Sequence, residues 1–405
     1  MYSPYFKEIV KAYNRINKYI NNTPLYYSHK LSNLFSGNIY LKLENLQRTG
    51  SFKIRGALNC ILKNYELCKR GIITASAGNH AQGVAFGAQL LNVKSTIVMP
   101  KFSPLTKINN TKEYGANIIL YGNNYNEASV FAEELAKKEN LFFIHPFNNI
   151  DVITGQGTIA LEILEKLKNC VDSIIVPVGG GGLISGIGIY SKQVNNNIKI
   201  IGVQTERVPS MYESLKKDKI ITVNNAKTIA DGISVHKVEE NTFNICKNII
   251  DQFYLVKDSE IARSILFLIE NSKLIVEGAA ATTLALLLKN NIHTKNKNIV
   301  LIISGGNIDV NLIDRIINKG LVASHRLIRI TVKLKDTPGS LYKIAKLIGD
   351  NGANILDLRH YRSDIDLDID ESKVTFDLET KGKKHIELLI ENINNAGYEV
   401  FFSEL

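Results

Sequence analysis

"SIIVPVGGGGLISG", residues 173–186, decides the fold. A short apolar run rich in β-branched residues ends in four consecutive glycines, Gly179 to Gly182, and a helical pattern follows at once. A strand with no polar face is buried on both sides, which is the condition of a parallel sheet covered by helices. Four glycines at such a junction cost much conformational entropy, so a plain linker is an expensive explanation. A phosphate nest explains them better: successive Cβ-free amides turn inward on one anion, and the dipole of the following helix adds to them. No Lys-Ser or Lys-Thr follows, and the dinucleotide spacing is absent, so this is neither a Walker loop nor a Rossmann fingerprint.

The same alternation runs outward from this stretch. "IYLKL", "GIITA", "STIVMP", "ANIILYG", "LFFIHP", "IKIIGVQ" and "IVLIISGG" alternate with helical patterns between residues 38 and about 320. The pattern predicts an α/β, doubly wound, largely parallel architecture whose ligands lie at the carboxyl ends of strands. After "INKGLVASHR" the pattern changes to β-α-β-β-α-β over the final segment, which describes a ferredoxin-like α+β domain with its boundary near Ser324. The acidic run "SDIDLDIDES" reads as a solvated loop between two of its strands.

With 405 residues, 45% hydrophobic and 22% charged, the chain is long enough for two or three cores. Its net charge of +10 is spread along the whole length, which suits anionic small molecules and solubility and gives no nucleic-acid stripe. Cys60, Cys68, Cys170 and Cys246 show no CxxC spacing and no His pair stands at zinc intervals, so thiols in a reducing compartment are expected and no metal is. The opening residues carry no apolar run of signal-peptide or membrane-span length, which predicts a cytoplasmic protein without a membrane partner.

Three more stretches carry chemistry. "TGSFKIRGA", 49–57, puts Lys53 and Arg55 where a helix begins. Read alone it is a Ser51-capped helix with solvated cations, although cations lose slightly at that end of the dipole. "ITASAGNHAQG", 73–83, is a small-residue turn entering a helix; it is a plain turn or an anion cradle in which Ser76, Ala77, Gly78 and His80 receive a carboxylate. "VLIISGGNID" ends a buried strand in Ser304, Gly305, Gly306 and Asn307. An amine, a phosphate nest, a carboxylate cradle and a lone hydroxyl together suit pyridoxal 5'-phosphate.

"SFKIRGA", "SAGNHAQG", "GGGGL" and "SGGN", in this order, resemble the threonine ammonia-lyase (threonine dehydratase) family, whose fold is shared with serine racemase. The resemblance implies the tryptophan-synthase-β-like fold type II: two open parallel-sheet domains over residues 1–320, the smaller at roughly 38–145. "LKDTPGSLYKIAKLIGDNGANI" resembles an ACT domain, which implies an amino-acid-binding regulatory module over 325–405. By the same carry-over Lys53 is the Schiff-base lysine and Cα base, its pKa lowered by the helix N-terminus, by Arg55 and by desolvation. Phe52 packs on the pyridine face and Asn79 bonds the phenolic oxygen. Gly179, Gly180, Gly181, Gly182 and Leu183 hold the phosphate, and Ser304 meets the ring nitrogen. A serine partner disfavours a full pyridinium, which favours β-elimination over transamination.

The implied activity converts L-threonine to 2-oxobutanoate and ammonia, and L-serine to pyruvate, in a homo-oligomeric dimer or tetramer under an amino-acid effector. Isoleucine biosynthesis and threonine catabolism both remain open. A racemase is the first alternative, opposed by Ala77, which stands where serine racemases carry a second serine. A non-catalytic amino-acid sensor is the second, opposed by the intact Lys53, Asn79 and Ser304. Gln204, at a position often Glu in relatives that bind a divalent cation, puts a metal in doubt.

Overall fold

The computed structural model describes residues 3–403 apart from 225, 290, 291 and 364. The chain forms two compact units, dividing between Ile308 and Asp309.

The first unit holds two sheets. The larger has six strands in the order Leu25–Tyr27, Asn38–Leu43, Asn298–Ile303, Ser173–Pro177, Lys199–Thr205, Gln252–Val256. Only Leu25–Tyr27 runs antiparallel to its neighbour; the other pairings are parallel. The central strands are buried along nearly their whole length, as their largely apolar sequences require. The smaller sheet is wholly parallel, in the order Asn117–Leu120, Ser95–Met99, Ile72–Ala75, Phe142–Phe143. Because Asn38–Leu43 pairs in register with Asn298–Ile303, that strand belongs to the larger sheet, and the smaller one starts at Ile72 rather than near residue 38. Leu25–Tyr27 and Gln252–Val256 have no counterpart among the strands expected from sequence. The first is three residues long, and the second is only partly buried along most of its length, so neither carries a strong apolar period.

The second unit carries an antiparallel sheet ordered Asn354–Tyr361, Glu371–Glu379, Leu327–Lys335, Val400–Ser403. Helices Ser340–Asp350 and Lys383–Asn395 complete the β-α-β-β-α-β order expected from sequence. Its own core gathers Ile330, Val332, Ile344, Ile348, Val374, Phe376, Leu378, Leu389 and Ile393. Helix Val310–Ala323, N-terminal to the boundary near Ser324, is grouped with this unit and buries only Ile316. The acidic loop is solvated, with Ile365 and Ile369 fully exposed; Asp364 lies outside the described residues.

Among the described residues no helix is long and apolar enough to cross a membrane. All four cysteines are free, and Cys170 alone is exposed.

Candidate active site

Three strand ends of the first unit converge on Lys53. Strand Ile72–Ala75 delivers residues 76–80, strand Ser173–Pro177 delivers the glycines, and strand Asn298–Ile303 delivers Ser304. A main-chain zipper ties the lysine turn to the last of these: Phe52 N donates to Ser304 O at 3.0 Å, Gly306 N donates to Gly50 O at 2.8 Å, and Ser51 bridges Gly305. Ser51 is therefore strand-like; the helix Lys53–Lys63 is entered from Phe52 without a side-chain cap. The Thr49 and Ser51 hydroxyls are buried in this turn with no hydrogen-bond partner.

Lys53 Nζ lies 5.3 Å from the centre of the Phe52 ring and donates to Pro146 O at 3.0 Å. Burial lowers its pKa to about 8, against the opposing charge of Glu277. Arg55 takes no part in this, contrary to the sequence expectation. Its guanidinium turns away into a buried cluster, donating to Glu44 at 2.8 and 2.9 Å and to Glu162 at 2.7 and 2.9 Å. Lys42 joins through Glu162 at 2.5 Å, and Thr23 through Glu44. Burial alone would raise the Glu44 carboxyl; Arg55, Lys42 and Thr23 outweigh it and hold it below the ordinary carboxylate range. Two cations facing two carboxylates leave no net charge to reach Lys53.

The glycine loop enters its helix through one left-handed residue. Gly181 has φ 89°, a left-handed conformation that a side chain would strain, and it caps helix Gly182–Val194 with no side chain in the way. A Cβ at Gly180 would stand 2.4 Å from the Phe147 ring, next to the Pro146 carbonyl that receives Lys53. Leu183 is buried in the main core, so it offers the nest its main chain.

The 76–79 turn is partly exposed, and Ser76 Oγ accepts from Gly78 N at 3.2 Å. The first amides of helix Asn79–Leu90 have no intrahelical partner, which suits a carboxylate. His80 can serve it only through its main chain, since its ring is buried with Nε2 3.1 Å from Ile144 O. Burial, with Lys53 nearby, drives the pKa of that ring down to about 3 and keeps it neutral.

Asn79 carries a contact that the sequence reading missed. Its Nδ2 donates to both oxygens of Glu277, at 3.0 and 2.8 Å, and its Oδ1 accepts from Asn307 Nδ2 at 2.7 Å. Glu277 precedes helix Gly278–Leu288 in "IVEGAAATT", where an acidic residue before a helix reads as dipole compensation. Ser304 is 2% exposed, and its carbonyl is held by Phe52. These residues fit pyridoxal 5'-phosphate: the amine for the aldehyde, the glycine cradle for the phosphate, Asn79 and Ser304 for the two polar positions of the ring.

Residues 16–305 match the model of the pyridoxal-phosphate dependent enzymes. The chain belongs to that family. It is 47% identical over 395 residues to an L-threonine ammonia-lyase of Thermotoga maritima, covering 97% of this chain and 98% of the relative. Among solved structures, threonine deaminase isoform 2 of Solanum lycopersicum in its processed form superposes with a TM-score of 0.73 at 38% identity, over 78% of this chain and 92% of that one. The serine racemase of Dictyostelium discoideum reaches 0.69 at 38% identity, over 75% and 99%.

The position that raised the question of a metal is filled by neutral contacts. Gln204 is fully buried, accepting from Tyr212 N at 3.2 Å and donating to Ser210 Oγ at 3.4 Å. No group of three or more His, Cys, Asp or Glu side chains suited to a metal ion occurs among the described residues. Gln204 therefore offers an amide engaged at both ends where a carboxylate would stand.

Proposed function

We propose that this chain is a threonine ammonia-lyase, eliminating ammonia from L-threonine to give 2-oxobutanoate and from L-serine to give pyruvate. The observation that carries the reading is the placement of Lys53. An amine of lowered pKa stands between a glycine nest and the Asn79–Ser304 end of the site, in a chain 47% identical to an L-threonine ammonia-lyase. When bound, pyridoxal phosphate supplies an electron sink for the negative charge that develops at Cα. Lys53 anchors that cofactor and, released by the incoming amino group, takes the Cα proton on Nζ. The amides of residues 77–80 hold the substrate carboxylate, the β-hydroxyl leaves as water, and the enamine set free takes up one water to give the 2-oxoacid and ammonia. Ser304 meets the ring nitrogen with a hydroxyl rather than a carboxylate, which leaves a weaker sink and favours prompt loss of the β-substituent. Release of 2-oxobutanoate from L-threonine by the purified holoenzyme, with no D-amino acid formed, tests the reading.

Ala77 bears on the racemase alternative. The methyl of this half-buried residue offers no acid on that side of the turn. Ala77→Ser is expected to add measurable L-to-D conversion of serine while elimination continues. Unchanged enantiomeric purity with elimination intact would show that one hydroxyl at this position is insufficient.

We assign the second unit an ACT-type regulatory role and the whole enzyme a cytoplasmic, homo-oligomeric existence. Support comes from the ferredoxin-like topology, the separate core, and the turn at "DTPGSL", where Gly339 has φ 88° and Thr337 and Ser340 hydroxyls meet at 2.9 Å. Free thiols suit a reducing compartment. A chain ending at Ser324 is expected to keep lyase activity and lose its response to amino acids, since every site residue lies before the division at Ile308. Titrating isoleucine, valine, threonine and serine against both forms decides it: an identical response in the two removes the regulatory role.

A further inference from the structure

Glu277 has no part in the reaction steps above, yet its environment is built around it. It is 4% exposed, and both oxygens receive the Asn79 amide. Room for the carboxylate exists because Gly305 has no side chain: a Cβ there would stand 2.6 Å from Glu277 Oε1. The Glu277 main chain is fixed as well, its N–H donating to Gly305 O at 3.0 Å. At its other end Asn79 accepts from Asn307 Nδ2, which also donates to Thr49 O at 2.9 Å. Turning the Asn79 amide over would set oxygen against carboxylate and NH2 against NH2, so its orientation is fixed from both sides.

We propose that Glu277 is a positioning residue that acts through Asn79: its two oxygens share one Nδ2–H of the amide, which aims the other Nδ2–H at the hydroxyl of the bound pyridoxal ring. The proposal rests on the threonine ammonia-lyase reading and adds a residue to its machinery. The charged groups around Glu277 are Asp231, Lys107 and Lys53, with Asp231 and Lys107 paired at 2.5 Å, and the N-terminus of helix Gly278–Leu288 lies beside it. Burial and Asp231 push the Glu277 carboxyl up to about 7, against Asn79 and the two lysines. Ionised, it accepts from Asn79 on both oxygens; protonated, it must spend one oxygen as a donor and loosens that hold. The absorbance of the bound cofactor without substrate should therefore carry a pH inflection that belongs to Glu277, whose carboxyl is held above the ordinary carboxylate range.

The test is a double-mutant cycle read by cofactor affinity and by that pH titration on the full chain. Glu277→Ala is expected to weaken pyridoxal phosphate binding about 10–100-fold when Asn79 is present, and by less than about threefold in an Asn79→Ala background. Equal losses in both backgrounds, or no loss in either, would overturn the proposal. Should Glu277→Ala not fold, Glu277→Gln decides alone: it keeps an acceptor for Asn79, so affinity should stay within about threefold while the inflection disappears. An inflection that persists in Glu277→Gln sinks the idea. Failure of the wild-type chain to bind the cofactor or release 2-oxobutanoate would instead remove the underlying activity, which keeps the two failures apart.

Discussion

Lys53→Ala is expected to lose at least about 10⁴-fold of the lyase rate, because one substitution removes both the cofactor anchor and the Cα base. The structure narrows why no neighbour takes over. His80 and His145 are the nearest imidazoles that feel Lys53, and burial holds them neutral with pKa values of about 3 and 4. Each is also committed, His80 to Ile144 O and His145 Nδ1 to the amides of Phe147 and Asn148. The variant should be colourless, with no borohydride-sensitive absorbance, and should release 2-oxobutanoate at a rate close to that without enzyme. A rate near wild type would remove Lys53 from the base's role.

Arg55→Ala should be the most damaging change to stability, which reverses what the sequence suggests for a solvated first-turn cation. The guanidinium is fully buried and serves two carboxylates that are themselves buried, Glu44 and Glu162. Deleting it leaves two carboxylates facing Lys42 alone. Breaking such a pair costs about 3–5 kcal/mol, a fall in melting temperature of roughly 5–8 °C for a unit of this size. Adding Glu44→Gln removes one uncompensated charge and should regain part of the loss. Thermal unfolding followed by circular dichroism measures both; a shift of less than about 2 °C for Arg55→Ala would mean that the cluster contributes little.

What could be read from the sequence was what local pattern carries. The glycine run, the small-residue turn and the serine at a strand end each announce themselves within ten residues, and the alternation around them gives the sheets. Glu277 and the Arg55 cluster escaped because their meaning lies in distant partners. Asn79 and Glu277 are 198 residues apart, and Arg55 and Glu162 are 107 apart. Nothing within one stretch marks Arg55 as buried, since Lys and Arg at a helix start are ordinarily solvated. The edge strand Gln252–Val256 escaped for another reason: its aromatic and polar residues sit half in solvent, so no period stands out.

The zipper between residues 49–52 and 304–307 has a consequence for how the enzyme comes into being. Asn307 and Thr49 are 258 residues apart, so their contact closes nearly the whole first unit into one loop. During synthesis the lysine emerges early and the serine turn only at the end of the first unit, and neither half can assemble the site alone. Contacts of such separation must offset a large loop-closure entropy before they stabilise anything, which places them late in folding. On dilution from denaturant, far-ultraviolet ellipticity should therefore recover first and capture of the cofactor's colour should lag behind it. Ribosome-bound chains that stop short of Ser304 should remain colourless however long they wait.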